Sequence, residues 1–121
     1  MQLHHLALGA RDVEKIAGFY AMHFGLAELA RHLREDGSLR SVWLDLGPSV
    51  LMVEATEEGE RRCGVGAGLF LLALRTTPSE RLALEARLSS AGVAVESRTD
   101  FTSYFRDPEG NRVAISHYPE R

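Results

Sequence analysis

Two side chains stand out as able to do chemistry together: His5 near the start of the 121-residue chain and Glu54 close to its middle. His5 belongs to the run His4-His5-Leu6-Ala7-Leu8-Gly9. Strand alternation sets it beside the small Ala7 and sends Leu6 and Leu8 to the other face. Glu54 is a carboxylate in the otherwise apolar run Leu51-Met52-Val53-Glu54-Ala55-Thr56. An imidazole and a carboxylate turned toward one site can form a hydrogen-bonded acid/base pair, the carboxylate raising the imidazole's affinity for a proton. They can also be part of a metal-ligand set. The plainer reading is two wetted polar residues at the wall of a cleft, without catalytic duty.

Alternation groups other side chains that could line a pocket: Trp43 with Ser41 and Asp45, Met52 with Val50 and Glu54, Tyr104 with Thr102 and Arg106. Trp43 and Met52 offer apolar contact, and Tyr104 and Arg106 offer hydrogen-bond donors. Together they suit a small aromatic or anionic molecule. The plainer alternatives are core filling for Trp43 and Met52, and a surface ion pair with Asp107 or Glu109 for Arg106. His4 falls on the face opposite His5 and reads as structural. His23 and His32 have no visible partner and are assigned no role. Cys63 is the only cysteine, so no intrachain disulfide exists and a reducing, cytoplasmic setting is expected. In its Gly- and Arg-rich stretch it reads as a bystander rather than a nucleophile.

The elements that must position these residues come in two copies. Leu71-Leu72-Ala73-Leu74 repeats His5-Leu6-Ala7-Leu8, with Leu71 where His5 stands, and Gly25-Leu26-Ala27 is echoed by Gly92-Val93-Ala94. The spacing of the two echoes, 66 and 67 residues, makes them one duplicated unit. The first reads as a strand over 3–9, a helix capped by Asp12 and closed by Gly25, then strands over 26–33, 39–46 and 50–56. Ile16, Phe19, Tyr20 and His23 or Phe24 form the helix stripe, and Asp36-Gly37 turns the first hairpin. The second reads as a strand over 69–75, a helix capped by Ser79 that carries Leu82, Leu84, Ala86 and Leu88 and ends at Gly92, then strands over 93–97, 102–106 and 112–117. Asp107-Pro108-Glu109-Gly110 is its last turn. The predicted architecture is α+β: one domain over 1–121, built from two βαβββ modules (about 1–56 and 69–121) joined by a linker over 57–68. The linker glycines do not fit G-x-G-x-x-G followed by a helix, so no phosphate loop is expected.

Composition excludes several classes of function. Hydrophobic residues make up 45%, charged residues 26%, and the formal net charge is −3 with acids and bases interspersed. No electrostatic footprint for nucleic acid is present, and no apolar run approaches the ~20 residues of a membrane helix. The start of the chain lacks the basic segment and apolar stretch of a signal peptide.

In this order, three stretches resemble the vicinal oxygen chelate superfamily, which holds glyoxalase I, fosfomycin- and bleomycin-resistance proteins and extradiol dioxygenases. They are His5-Leu6-Ala7-Leu8 with Asp12, Phe19-Tyr20 before Phe24-Gly25-Leu26, and Tyr104-Phe105-Arg106-Asp107-Pro108-Glu109-Gly110-Asn111-Arg112. The resemblance implies paired modules curled into an open cradle, commonly in a homodimer. It implies a divalent ion (Zn, Ni, Mn or Fe) held by residues of the first and last strand of each module and acting as a Lewis acid. His5 and Glu54 match the first-module ligand positions, whereas Leu71 and Ala114 occupy the second-module ones and have no lone pairs to donate. His117 and Ser116 lie near Ala114, but alternation turns His117 to the other face. The expectation is therefore a superfamily protein with a degenerate metal site and no cofactor, binding a small organic molecule in its cradle as the bleomycin-resistance branch does. The alternative is a metal-dependent glyoxalase-like lyase, isomerase or dioxygenase using His5 and Glu54. The expected partners are the small molecule and a second copy of the chain.

Overall fold

The computed structural model describes residues 1–57 and 68–121. Cys63 and the linker glycines at 59, 64 and 66 lie outside the described residues. Contacts divide the chain into two units, Met1–Glu60 and Arg61–Arg121.

The first unit runs β1 (His5–Ala10), α1 (Val13–Phe24), β2 (Glu28–Leu33), β3 (Leu39–Asp45) and β4 (Val50–Ala55). Its four strands lie in the order β1-β4-β3-β2, with β1 parallel to β4 and the rest antiparallel. The expected caps of α1 form: the Asp12 carboxylate accepts from the Lys15 amide at 3.0 Å, and Gly25 closes the helix at φ 68°. Val13, Ile16, Ala17, Phe19 and Tyr20 are buried on one stripe of α1. Leu8, Val42, Leu44, Leu51 and Val53 are buried on the strands. One sheet face is thus covered, and the strand residues between those core positions point the other way.

The second unit repeats the order: β5 (Leu72–Arg75), α2 (Pro78–Ser90), β6 (Ser97–Arg98), β7 (Thr102–Arg106) and β8 (Arg112–Ser116), with strands ordered β5-β8-β7-β6. The α+β architecture of two tandem βαβββ modules is as the repeat predicts. Three details differ. The N-cap of α2 is Thr77, not Ser79: Pro78 takes the first helical turn, and Thr77 and Glu80 bond reciprocally in a capping box. Leu82 is exposed while Leu84 and Leu88 are buried, because residues two apart lie on opposite sides of a helix. The strand expected over 93–97 shrinks to Ser97–Arg98. The amides of Gly92 and Val93 instead cap the end of α2, on the carbonyls of Ser89 (3.0 Å) and Leu88 (2.8 Å).

Candidate functional site

Each sheet leaves one face free of its helix, and the strand register decides what that face presents. In the first unit, Trp43 lies across from Met52 on β4 and Ala30 on β2, and Met52 lies across from Ala7 on β1. A half-buried indole and thioether therefore occupy the middle of the face, flanked by two alanines. One step along, His32, Ser41, Glu54 and Gly9 form a polar row, with Ser41 only 1% exposed. One step the other way, Asp45, Val50 and His5 form a third.

This register separates His5 from Glu54. His5 pairs with Val50, and Glu54 with Gly9, four residues further along β1. At about 3.3 Å per residue that is about 13 Å along the strand, too far for a direct hydrogen bond or a shared ion. The imidazole that shares Glu54's row is His32, with Ser41 between them. Sequence reading assigned His32 nothing; the signal was the Asp36-Gly37 hairpin, whose register carries residue 32 across to residue 41. The His32 ring packs edge-on against Trp43, centroids 4.7 Å apart, and both His32 Nε2 and Trp43 Nε1 are buried without a hydrogen-bond partner. His4 differs from expectation too. It lies just before β1, is exposed, and one of the His4 and His5 rings donates its Nδ1–H to the other's Nδ1 at 2.9 Å.

In the second unit Tyr104 holds the middle of the free face, across from Ala114 on β8 and Ser97 on β6, with Ala73 beyond Ala114. Arg106 donates Nε and Nη2 to the two carboxylate oxygens of Glu96, at 2.9 and 3.1 Å, and Nη1 to the Gly110 carbonyl. Asp107 organises its own turn, accepting from the amides of Glu109 and Asn111 and from the Asn111 side chain. Arg112, which sequence reading passed over, lies opposite Arg106 and stacks its guanidinium 4.2 Å from the Tyr104 ring centroid. Its Nε is buried with no hydrogen-bond partner, 3.7 Å from Glu96. Alternation back from Ala114 was the available signal.

Aligning Leu6-Ala7-Leu8 on Leu72-Ala73-Leu74 relates the two faces position by position. Trp43 corresponds to Tyr104, Ser41 to Thr102, Asp45 to Arg106 and Val50 to Arg112. The same alignment corrects the ligand positions. Ala114, beside Ala73, corresponds to Met52, whereas Glu54 corresponds to Ser116. Glu54 and Ala114 are therefore not the same position in the two modules, and the position matching Ala114 holds a thioether. Among the described residues no group of three or more His, Cys, Asp or Glu side chains could hold a metal ion. The donor set does not fit the divalent ion that the family resemblance implies.

A family model described as the Glyoxalase/Bleomycin resistance protein/Dioxygenase superfamily matches residues 2–115. Solved structures share the fold. A glyoxalase family protein from Enterococcus faecalis is 24% identical with a TM-score of 0.74, over 96% of this chain and 97% of that one. The fosfomycin resistance protein FosX from Listeria monocytogenes is 16% identical with a TM-score of 0.78, over 96% and 90%. A lactoylglutathione lyase from Agrobacterium tumefaciens is 21% identical with a TM-score of 0.68, over 97% and 93%. No curated protein sequence matches the chain.

Proposed function

Because the chain belongs to the glyoxalase/bleomycin resistance protein/dioxygenase superfamily, we propose that it uses the free faces of its sheets to bind a small organic molecule without a resident metal ion. The observation that carries this reading is the Trp43–Met52 pair, half-buried at the centre of a sheet face with Ala30 and Ala7 as its neighbours in the same row. An indole and a thioether there can grip a flat ring by dispersion and sulfur–aromatic contact. Binding requires no proton or electron transfer. The acid/base pair considered for His5 and Glu54 is not supported by their separation. Charge sorts by sheet. The first face carries Asp45 and Glu54 and suits neutral or basic rings, and the second carries Arg112 on Tyr104 and suits anionic ones. The homodimer and the cytoplasmic setting belong to the same proposal.

A metal-dependent lyase, isomerase or dioxygenase is the reading these residues support least. Leu71 and Ala114 have no lone pairs, Met52 is a poor ligand for Mn or Fe, and Glu54 lies too far from His5 to join it.

Trp43 is the only tryptophan, so intrinsic fluorescence reports on the first face alone. Titrating a panel of neutral, basic and anionic benzene derivatives should give saturable quenching by at least one neutral or basic member, unchanged by chelator and weakened at least tenfold by Met52→Asp. Anionic members, followed by calorimetry, should lose about tenfold in Arg112→Gln, as expected when one charged hydrogen-bonding group is removed. Silence across the panel in both measurements would end the proposal.

A further inference from the structure

The proposed binding reading makes no use of the His4–His5 pair, whose hydrogen-bonded nitrogens already sit at the spacing of a chelate. The two Nδ1 atoms lie 2.9 Å apart with the rings nearly perpendicular, at 83°. Both side chains are exposed, so an ion has open access. The backbone beneath them is fixed: the His4 carbonyl accepts from the Val50 amide at 3.2 Å, and His5 begins the β1–β4 ladder. Two nitrogens each about 2.05 Å from one ion lie about 2.9 Å apart if they subtend a right angle, but about 3.3 Å apart at a tetrahedral angle. The observed spacing matches the right angle.

We propose that His4 and His5 form a two-imidazole site for a tetragonal divalent ion, Cu²⁺ above all, with solvent filling the remaining positions. The proton count is simple. In the metal-free pair one ring holds its proton on Nδ1 and donates it to the other. On binding, that proton moves to the same ring's solvent-facing Nε2, both Nδ1 lone pairs turn to the ion, and no net proton is released between neutral rings. Zinc, which prefers tetrahedral sites, should bind more weakly. The site shares His5 with the superfamily ligand positions and with the outer row of the Trp43 face, but takes its second nitrogen from His4, which belongs to neither.

The test is a Cu²⁺ titration of tag-free protein carrying Cys63→Ser, which removes the one thiol. Calorimetry against a glycine competitor would give the affinity, and electron paramagnetic resonance the ligand set. One Cu²⁺ per chain is expected, with an axial spectrum showing two nitrogen ligands and affinity at least tenfold above that for Zn²⁺. His4→Ala should lower the affinity at least tenfold, while His23→Ala and His32→Ala leave it unchanged. Equal affinity in His4→Ala, a single-nitrogen spectrum, or Zn²⁺ binding as tightly as Cu²⁺ would overturn the proposal. His4 precedes the strand and is exposed, so its replacement leaves the fold intact, as circular dichroism would verify.

Discussion

At the scale of single residues, the arginines show how far a guanidinium's partners decide its role. Arg81 on α2 is only 11% exposed. It donates Nε to Ser103 Oγ at 2.7 Å, and its Nη atoms to the carbonyls of Thr99, Asp100 and Thr102. Its Nη1 also lies 3.1 Å from His117 Nε2. Since arginine only donates, that Nε2 must accept, which places the His117 proton on Nδ1, facing the Glu120 carbonyl. Glu85 completes the cluster. Burial pushes its carboxyl up, but hydrogen bonds from Arg98 and Ser103 and the charges of Arg98 and Arg81 outweigh burial and leave it below the ordinary carboxylate value. Removing Arg81 takes one of two arginines from the part-buried Glu85 and the guanidinium donors from Ser103 and from the carbonyls of Thr99, Asp100 and Thr102. Arg81→Ala should therefore cost about 3–5 kcal/mol, and Arg81→Lys should recover only part, because an ammonium cannot reproduce the planar fork. Urea denaturation would measure this, and a loss below about 1 kcal/mol would show the cluster to be dispensable. A carboxyl depressed in the folded state gives stability that is present above its unfolded value and lost as pH falls. The wild-type protein should accordingly weaken below about pH 4.5, and Glu85→Gln should flatten that slope. Only the Arg81–Glu85 pair, one turn apart on α2, was within reach of the sequence; the other partners lie 18 to 36 residues from Arg81 and meet it only once α2 is laid on β7.

At the scale of elements, the sequence was most legible where the signal is local. The Asp12 and Gly25 caps of α1, the Asp36-Gly37 hairpin and the Asp107–Gly110 turn each depend on a few adjacent residues, and each forms where expected. The errors arose where two local signals competed. Ser79 is an acceptable cap, but Thr77-Pro78-Ser79-Glu80 holds a better one. Proline's fixed φ favours the first helical turn, and the threonine–glutamate reciprocity satisfies two amides at once. Thr77→Ala should thus lower stability by about 1 kcal/mol, whereas Ser79→Ala, on the exposed first turn, should change it by less than about 0.5 kcal/mol. Equal losses would mean that the helix begins later than described. Residues 93–97 differ for a related reason: the stretch reads as apolar and extended, but the Val93 amide and that of Gly92 just before it are claimed by the helix the chain leaves.

At the scale of the whole molecule, duplication made the fold legible and the site misleading. Two copies of one unit predict one topology twice, and β1-β4-β3-β2 is indeed matched by β5-β8-β7-β6. What alternation could not supply is register between strands that are neighbours in the sheet but 45 residues apart in the chain, as His5 and Val50 are. An apolar strand with one carboxylate invites the assumption that the carboxylate faces the imidazole. A slip of two residues keeps it on the same face and removes it from reach, so no hydrophobic pattern signals the error. The paired register of the second unit exposes it, because Ala114 sits beside Ala73 as Met52 sits beside Ala7. The β1–β4 register can be tested directly. In a His4→Ala background, which removes the adjacent imidazole, Met52→Glu places a carboxylate one same-face step from His5. It should raise Ni²⁺ affinity at least tenfold, while Glu54→Gln leaves the affinity of the same background unchanged. The reverse outcome, loss on Glu54→Gln and no gain on Met52→Glu, would mean that β4 is paired two residues out of the described register. In that case the Trp43–Met52 face would have to be rebuilt around a different row.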